Sequence, residues 1–329
     1  MREKEIKIQS ADAVLSGTLC TPDTKGQFPA VLMLHGSGPL DRNENMRGQK
    51  LNIFNALAHA LAEQGIASLR YDKRGCGKSS GVFIKAGHAD FVQDAVQCLD
   101  TLATLENVSA NSLFILGHSE GSIIAPQVSH HRPTVAGLIL LCPFIEGLES
   151  ILIRQAAQLE KEVDSLPGIA GTYYRSLFRI IGKPRATQQR LLRKVRDTDS
   201  AVVRAVLSRH PAKWLREMLK LDTDAIFAAT RAPMLLVAGE KDLQCNPQDI
   251  FRIAEITQGP SESLLVEGMT HLLRIDENPA TIMGSARQSG EPLVGVVIDR
   301  IAQWTRNTSA AMNQLHTTDA AGARKSDQL

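Results

Sequence analysis

The sequence predicts an α/β protein: a mostly parallel sheet flanked by helices on both faces, with a helical segment inserted before the last strands. Two observations carry this. Short apolar runs rich in Leu, Val and Ile alternate with amphipathic stretches at helical spacing, and the alternation stops after Pro143 and resumes at Met234. Runs that are apolar at every position, not at every second one, belong to strands covered on both faces, as parallel strands are.

The elements follow in order. Glu5–Gln9 and Ala13–Leu19 alternate polar and apolar residues, the pattern of an antiparallel hairpin at a sheet edge. Ala30–Leu34, Ile66–Leu69, Leu113–Leu116, Val135–Leu141 and Met234–Val237 read as buried parallel strands, with a weaker one at Ser263–Val266. Leu51–Gln64 places Ile53, Leu57, Ala60 and Leu61 on one helical face and stops at Gly65, a residue suited to the position after a helix. Asp90–Leu105 repeats the pattern with Phe91, Ala95, Cys98, Leu99 and Leu102. Strand–helix alternation of this kind builds a sheet with helices on both sides.

From Phe144 to about Thr230 the pattern is helical and holds no convincing strand. Loops at the C-terminal ends of parallel strands border the active site, so such an insertion is expected to form a lid. Past Trp304 the chain turns to Asn, Thr, Ser, Ala and Gly, the composition of a disordered tail. The expected organisation is therefore a core of residues 1–143 and 231–306, a helical lid of 144–230 and a tail of 307–329.

Composition narrows the function classes. With 329 residues, 43% of them hydrophobic and 22% charged, the chain can bury a core that needs no disulfide or metal staple. The formal charge of +2 gives no sign of a nucleic-acid partner. Five cysteines, Cys20, Cys76, Cys98, Cys142 and Cys245, form no C-x-x-C pair and read as reduced thiols of a cytoplasmic protein. There is neither a signal-like apolar run at the start nor an integral membrane segment. Nothing in the residues bears on oligomeric state.

The chemistry concentrates in three places. Gly117-His118-Ser119-Glu120-Gly121 joins the strand Leu113–Leu116 to a helical pattern at Ile123–His130, the context of a nucleophile elbow. The turn is so sharp that side chains at either glycine would collide, and it lifts the serine hydroxyl above the sheet. A glycine-rich turn with an idle serine is the simpler alternative. Against it stand Asp242, just after the strand at Met234–Val237, and His271, just after the strand pattern ending at Val266. Either one alone would be an ordinary turn former or structural histidine; together they repeat the chain order serine, acid, histidine. Glu146 and His210 are less well placed alternatives. The third place is His35-Gly36-Ser37-Gly38-Pro39, after the strand at Ala30–Leu34. A loop there lends one oxyanion N–H, assigned to Ser37 with Gly38 as competitor, and Glu120 lends the other. His35 is expected to act as a structural hydrogen-bonder.

Together with the Tyr71–Ser79 segment, His35–Glu44, Gly117–Gly121, Gly239–Asp242 and Thr270–His271 resemble the α/β-hydrolase superfamily, in particular its serine aminopeptidase-like and carboxylesterase branch. The resemblance spans about Ile6 to Trp304 and implies Ser119 as nucleophile, His271 as base, Asp242 as orienting acid and no metal or organic cofactor. One departure is Ser122, where many relatives carry a second glycine. Gly77-Lys78-Ser79 imitates the end of a phosphate-binding loop, but Asp72 stands where that motif needs glycine. Asp72 and Arg74 are expected to brace loops instead.

The expected reaction is hydrolysis of a small carboxylic ester. An aminopeptidase would need an acid for the substrate's amine, with Glu44, Glu120 and Glu146 as candidates. A thioesterase acting on acyl-CoA would need a basic entrance. Residues 175–216 carry twelve Lys or Arg against Asp197 and Asp199, and a solvated helical face is the preferred reading of that charge. A receptor of the same fold that binds without turnover is the reading from another class.

Overall fold

The computed structural model describes residues 1–205 and 208–326. An eight-stranded sheet forms its centre, in the order β1 (Arg2–Ser10), β2 (Ala13–Thr21), β4 (Ala67–Tyr71), β3 (Phe28–Leu34), β5 (Val108–His118), β6 (Gly137–Leu141), β9 (Met234–Gly239) and β10 (Ser261–Val266). β1 and β2 make the antiparallel edge hairpin, and β4 through β10 run parallel. This is the sheet that the apolar runs predict.

Both faces are covered, which is why the runs do not alternate. Leu32 and Leu34 of β3 face a core shared with α2 (His88–Ala103) and α3 (Gly121–His131). Val31 and Met33 face a second core shared with α1 (Ile53–Glu63) and α11 (Gly295–Ser326), where Trp304 packs on Phe114. Burial of large apolar side chains on both faces, at about 1.5–3 kcal/mol each, supplies the main stabilising term.

Between β6 and β9 lie α4 (Leu148–Ser165), α5 (Gly168–Ile181), α6 (Pro184–Arg196), α7 (Ala212–Leu219) and α8 (Thr223–Ala228). This insertion also holds two strands that its sequence does not announce, β7 (Val202–Ala205) and β8 (Ser208–Pro211), paired antiparallel. Four-residue strands are too short to register a period of two. Two further helices, α9 (Asp249–Ile256) and α10 (Ser285–Gln288), complete the chain order.

The tail also departs from expectation: α11 continues through residues 307–326 as helix. Its packed first turns, where Ile301, Ala302 and Trp304 are buried, supply the nucleus from which the helix continues. No helix among the described residues is long and apolar enough to cross a membrane.

Candidate active site

β5 ends at His118, and the next residue turns the chain sharply into α3. Ser119 has φ +53°, a left-handed conformation that non-glycine residues adopt only when the surroundings impose it. The two elbow glycines show what imposes it. A Cβ at Gly117 would lie 2.2 Å from the carbonyl oxygen of Gly121, and one at Gly121 would lie 2.1 Å from that of Leu34. Ser122, the departure noted above, turns its hydroxyl onto the Ser119 carbonyl at 2.6 Å and fits without displacing the turn.

Asp242 and His271 meet beyond the ends of β9 and β10. Nδ1 of His271 lies 2.7 Å from Oδ2 of Asp242, and both residues are buried. Oδ1 of Asp242 accepts the backbone N–H groups of Gln244, at 2.7 Å, and Cys245, at 2.9 Å. Burial by itself pushes this carboxyl up. The charge and hydrogen bond of His271, with the two N–H donors, outweigh it and hold Asp242 below the usual carboxylate range.

Ser119 and His271 line one cavity of about 420 Å³, together with Gly36, Ser37, His118 and Cys245. Its further walls are largely apolar, with Phe144 and Leu148, Ile151, Leu152, Trp214 and Met218 of the insertion. The Ser119 hydroxyl makes no hydrogen bond to His271 in this conformation, and it shares the cavity wall with the Cys245 thiol, which burial drives well above its ordinary value. One rotation about the serine Cα–Cβ bond separates staggered positions of that hydroxyl.

The His35–Pro39 segment lies against the turn at Ser119: the Cβ position of Gly36 is 3.4 Å from that of Ser119. Among the described residues no acceptor takes the N–H of Ser37, Gly38 or Glu120. His35 corrects the expectation of a structural hydrogen-bonder. Neither of its ring nitrogens has a partner, and the ring packs between Phe54 and Tyr71 with centroids 5.4 and 5.0 Å away. Burial, with help from the Lys73 charge, lowers its pKa to about 4, so it supports the loop as a neutral packed ring.

Every carboxylate considered as an amine-holder is already engaged. Glu44 accepts the Gly36 N–H at 2.7 Å and faces His118 Nδ1 at 2.9 Å. Glu120 pairs with Lys73 at 2.9 Å and accepts the indole N–H of Trp214. Glu146 is held by Ser150 and Arg154. His210 bonds within the β7–β8 hairpin to Ser208 and the Ala205 carbonyl, apart from the cavity.

His118 has acceptors at both ring nitrogens, the Glu44 carboxylate and, 2.9 Å away, the His271 carbonyl. Burial disfavours charge on this ring, but the Glu44 charge and both hydrogen bonds raise its pKa. Two acceptors and no donor define an imidazolium. Glu44 and His118 were named from the sequence, but the bonds that Lys73, Trp214 and this Glu44–His118 pair make could not be read there, because the partners lie 47, 94 and 74 positions away.

Asp72 accepts Arg42 and the Lys78 N–H, and Arg74 pairs with Asp94, which is the bracing role expected of both. A Cβ at Gly77 would meet the Asp72 carboxylate at 2.4 Å, so this loop is filled by a carboxylate where a phosphate would need room. Two groups with metal-ligand spacing, His118–Cys142–His271 and Asp242–Cys245–His271, overlap the site. Their imidazole nitrogens at His118 and at Nδ1 of His271 are already committed to the hydrogen bonds above.

Comparison with known proteins agrees with this architecture. Residues 47–278 match the family described as serine aminopeptidase, S33. Esterase EstD of Thermotoga maritima is 28% identical over 304 residues, 92% of this chain and 67% of that protein. Among solved structures, Est1E of Butyrivibrio proteoclasticus with bound ferulic acid superposes with a TM-score of 0.59 at 16% identity, over 94% of this chain and 99% of that one. A proline iminopeptidase of Mycobacterium smegmatis superposes with a TM-score of 0.60 at 15% identity, over 94% and 99%. The family match covers most of the chain and the sheet is the one these structures share: the protein is an α/β-hydrolase and belongs to the serine aminopeptidase S33 family.

Proposed function

We propose that the protein is a serine carboxylesterase that forms an acyl-enzyme on Ser119. The observation that carries this reading is the buried Asp242–His271 pair, 2.7 Å apart, opening on the same cavity as a serine held in a left-handed turn. With Nδ1 bonded to Asp242, Nε2 of His271 is the nitrogen free to accept a proton. Rotation about the Ser119 Cα–Cβ bond is to bring its hydroxyl to that nitrogen; such contacts often tighten only when substrate binds.

His271 then takes the Ser119 proton as Oγ attacks the ester carbonyl, and Asp242 fixes the tautomer and stabilises the imidazolium. The oxyanion is received by the N–H groups of Ser37 and Glu120, each such donor contributing about 3 kcal/mol in the transition state. His271 returns the proton to the leaving alcohol. Water, activated by the same imidazole, releases the acid and restores the serine.

The cavity favours an uncharged ester over an amine or a coenzyme A thioester. Glu44 is the acid in its wall, and it is spent on Gly36 and His118, so a free α-amine finds no counter-ion. Among the described residues no Lys or Arg lines it. The insertion supplies much of the apolar wall and serves in this reading as a lid.

The test is one panel of aryl esters of graded acyl length, aminoacyl amides and acyl-CoAs, with Ser119→Ala as control. Ester turnover that rises with acyl length and vanishes in Ser119→Ala is expected. Faster cleavage of aminoacyl amides, as the family description suggests, would replace the esterase reading with a peptidase. Ester hydrolysis surviving in Ser119→Ala would refute the serine mechanism, and tight binding without turnover would make the protein a receptor.

A further inference from the structure

The two neighbours of Ser119 in the chain both carry buried charge, and both lead to the same glycine. His118 holds Glu44, whose carboxylate takes the Gly36 N–H at 2.7 Å. Glu120 holds Lys73 at 2.9 Å, and that ammonium also donates to the Gly36 carbonyl at 2.6 Å. The side chains of Lys73 and Glu120 are 3% and 1% exposed, and the ammonium lies 4.9 Å from the centre of the Phe91 ring. Removing two charges from water is costly, and such a pair adds little net stability. What it does add is geometry.

The Gly36 carbonyl and the Ser37 N–H belong to one peptide plane. In a trans peptide they point in opposite directions, and the described chain has no cis peptide bond. A buried ammonium that draws the Gly36 carbonyl one way therefore aims the Ser37 N–H the other way. Ser37 lines the cavity, and no acceptor in the described chain takes that N–H. The Gly38 N–H belongs to a different peptide plane, which Lys73 does not hold.

We infer that Lys73 is a positioning residue for the oxyanion: through the Gly36 carbonyl it orients the Ser37 N–H toward the carbonyl oxygen that takes the charge when Ser119 attacks. The inference rests on the serine-hydrolase reading above. Glu120 then acts twice, offering its own N–H to the oxyanion and holding, through its carboxylate, the cation that aims the second donor. The assignment also separates Ser37 from Gly38 as that donor.

The experiment compares the wild type with Lys73→Met/Glu120→Gln, which removes both buried charges at once, and with Lys73→Arg, which returns a charged donor. Each is checked by thermal melting and assayed on a neutral aryl ester. Binding of a trifluoromethyl ketone, which forms the oxyanion, is compared with binding of the matching ether, which has no carbonyl. Misaiming one donor should lower kcat about 10- to 100-fold, weaken the ketone by the same factor, and leave KM and the ether nearly unchanged. Lys73→Arg should recover part of the loss.

A folded double variant with unaltered kcat would overturn the inference, as would equal loss of ketone and ether. If the double variant does not fold, the unaltered enzyme decides. Its ketone adduct should move the Ser37 amide proton strongly downfield and leave the Gly38 amide in place; the reverse overturns the inference. Ser119→Ala runs in parallel. Activity surviving there means the serine reading has failed, whereas its loss beside an undisturbed Lys73 variant means that only the positioning role has failed.

Discussion

Replacing Asp242 with asparagine is the sharpest probe of the proposed triad, because the structure dictates which way the amide must face. Oδ1 of Asp242 accepts two backbone N–H groups, from Gln244 and Cys245. An asparagine must leave its oxygen there, since its NH2 group at that place would oppose two donors and strand them unpaired. The NH2 is thereby fixed opposite His271 Nδ1, the present partner of Oδ2 at 2.7 Å. It donates to Nδ1, so the ring proton moves to Nε2, and the base has no lone pair to offer Ser119. This wrong-tautomer effect is worth about 10⁴ in kcat, or about 5 kcal/mol at 1.36 kcal/mol per factor of ten. The assay is steady-state hydrolysis of an aryl ester near neutral pH, with KM and the melting temperature measured alongside. Asp242→Asn should keep KM within a few-fold and remain folded while kcat collapses. A folded variant retaining a tenth or more of wild-type kcat would show that Asp242 does not orient the base.

Other outcomes follow from the same coordinates. Gly117→Ala places a methyl 2.2 Å from the Gly121 carbonyl oxygen; it should cost at least 1–3 kcal/mol in denaturant unfolding, and a loss below about 0.5 kcal/mol would contradict the tight elbow. The Glu44–His118 pair should stabilise most between pH 4.5 and 6.5, the ordinary values of the two groups. Its contribution falls as pH rises through the raised value of His118, and as pH drops through the lowered value of Glu44. Glu44→Gln should flatten both limbs in a melting-temperature series, and an unchanged pH profile would deny the pairing. Because no Lys or Arg among the described residues lines the cavity, kcat/KM for a neutral ester should change less than about twofold between 0.05 and 0.5 M salt; a steep fall would implicate the basic insertion in capture.

The sheet could be read from the residues because burial on both faces leaves an unbroken apolar run, visible at β3, β5, β6 and β9 without knowledge of their order. The elbow was visible for a steric reason, since Gly117 and Gly121 have no room for a Cβ. Asp242 and His271 could be placed because each follows a strand. The pairings around them could not. Nothing local distinguishes Glu44, set against His118, from Glu146, spent on Arg154. Lys73 sits in a loop that resembles part of a phosphate motif and acts 47 residues away. His35 has the chemistry of a hydrogen-bonder, and only the packing of Phe54 and Tyr71 about it shows a ring used for its shape.

The bond from the Trp214 indole to Glu120 has a consequence for how this enzyme's range can be altered. Helix α7 is moored to the charged residue beside Ser119, the proposed nucleophile, so reshaping the pocket from that side should disturb turnover along with fit. Helix α4 presents Leu148, Ile151 and Leu152 to the same cavity by apolar contact, while its Arg154 and Gln155 donate to the Leu243 and Gln244 carbonyls just after Asp242. Selectivity can therefore drift at Leu148, Ile151 and Leu152 while turnover is spared, provided Arg154 and Gln155 are kept, and a search for variants with new acyl preference should begin at those three positions.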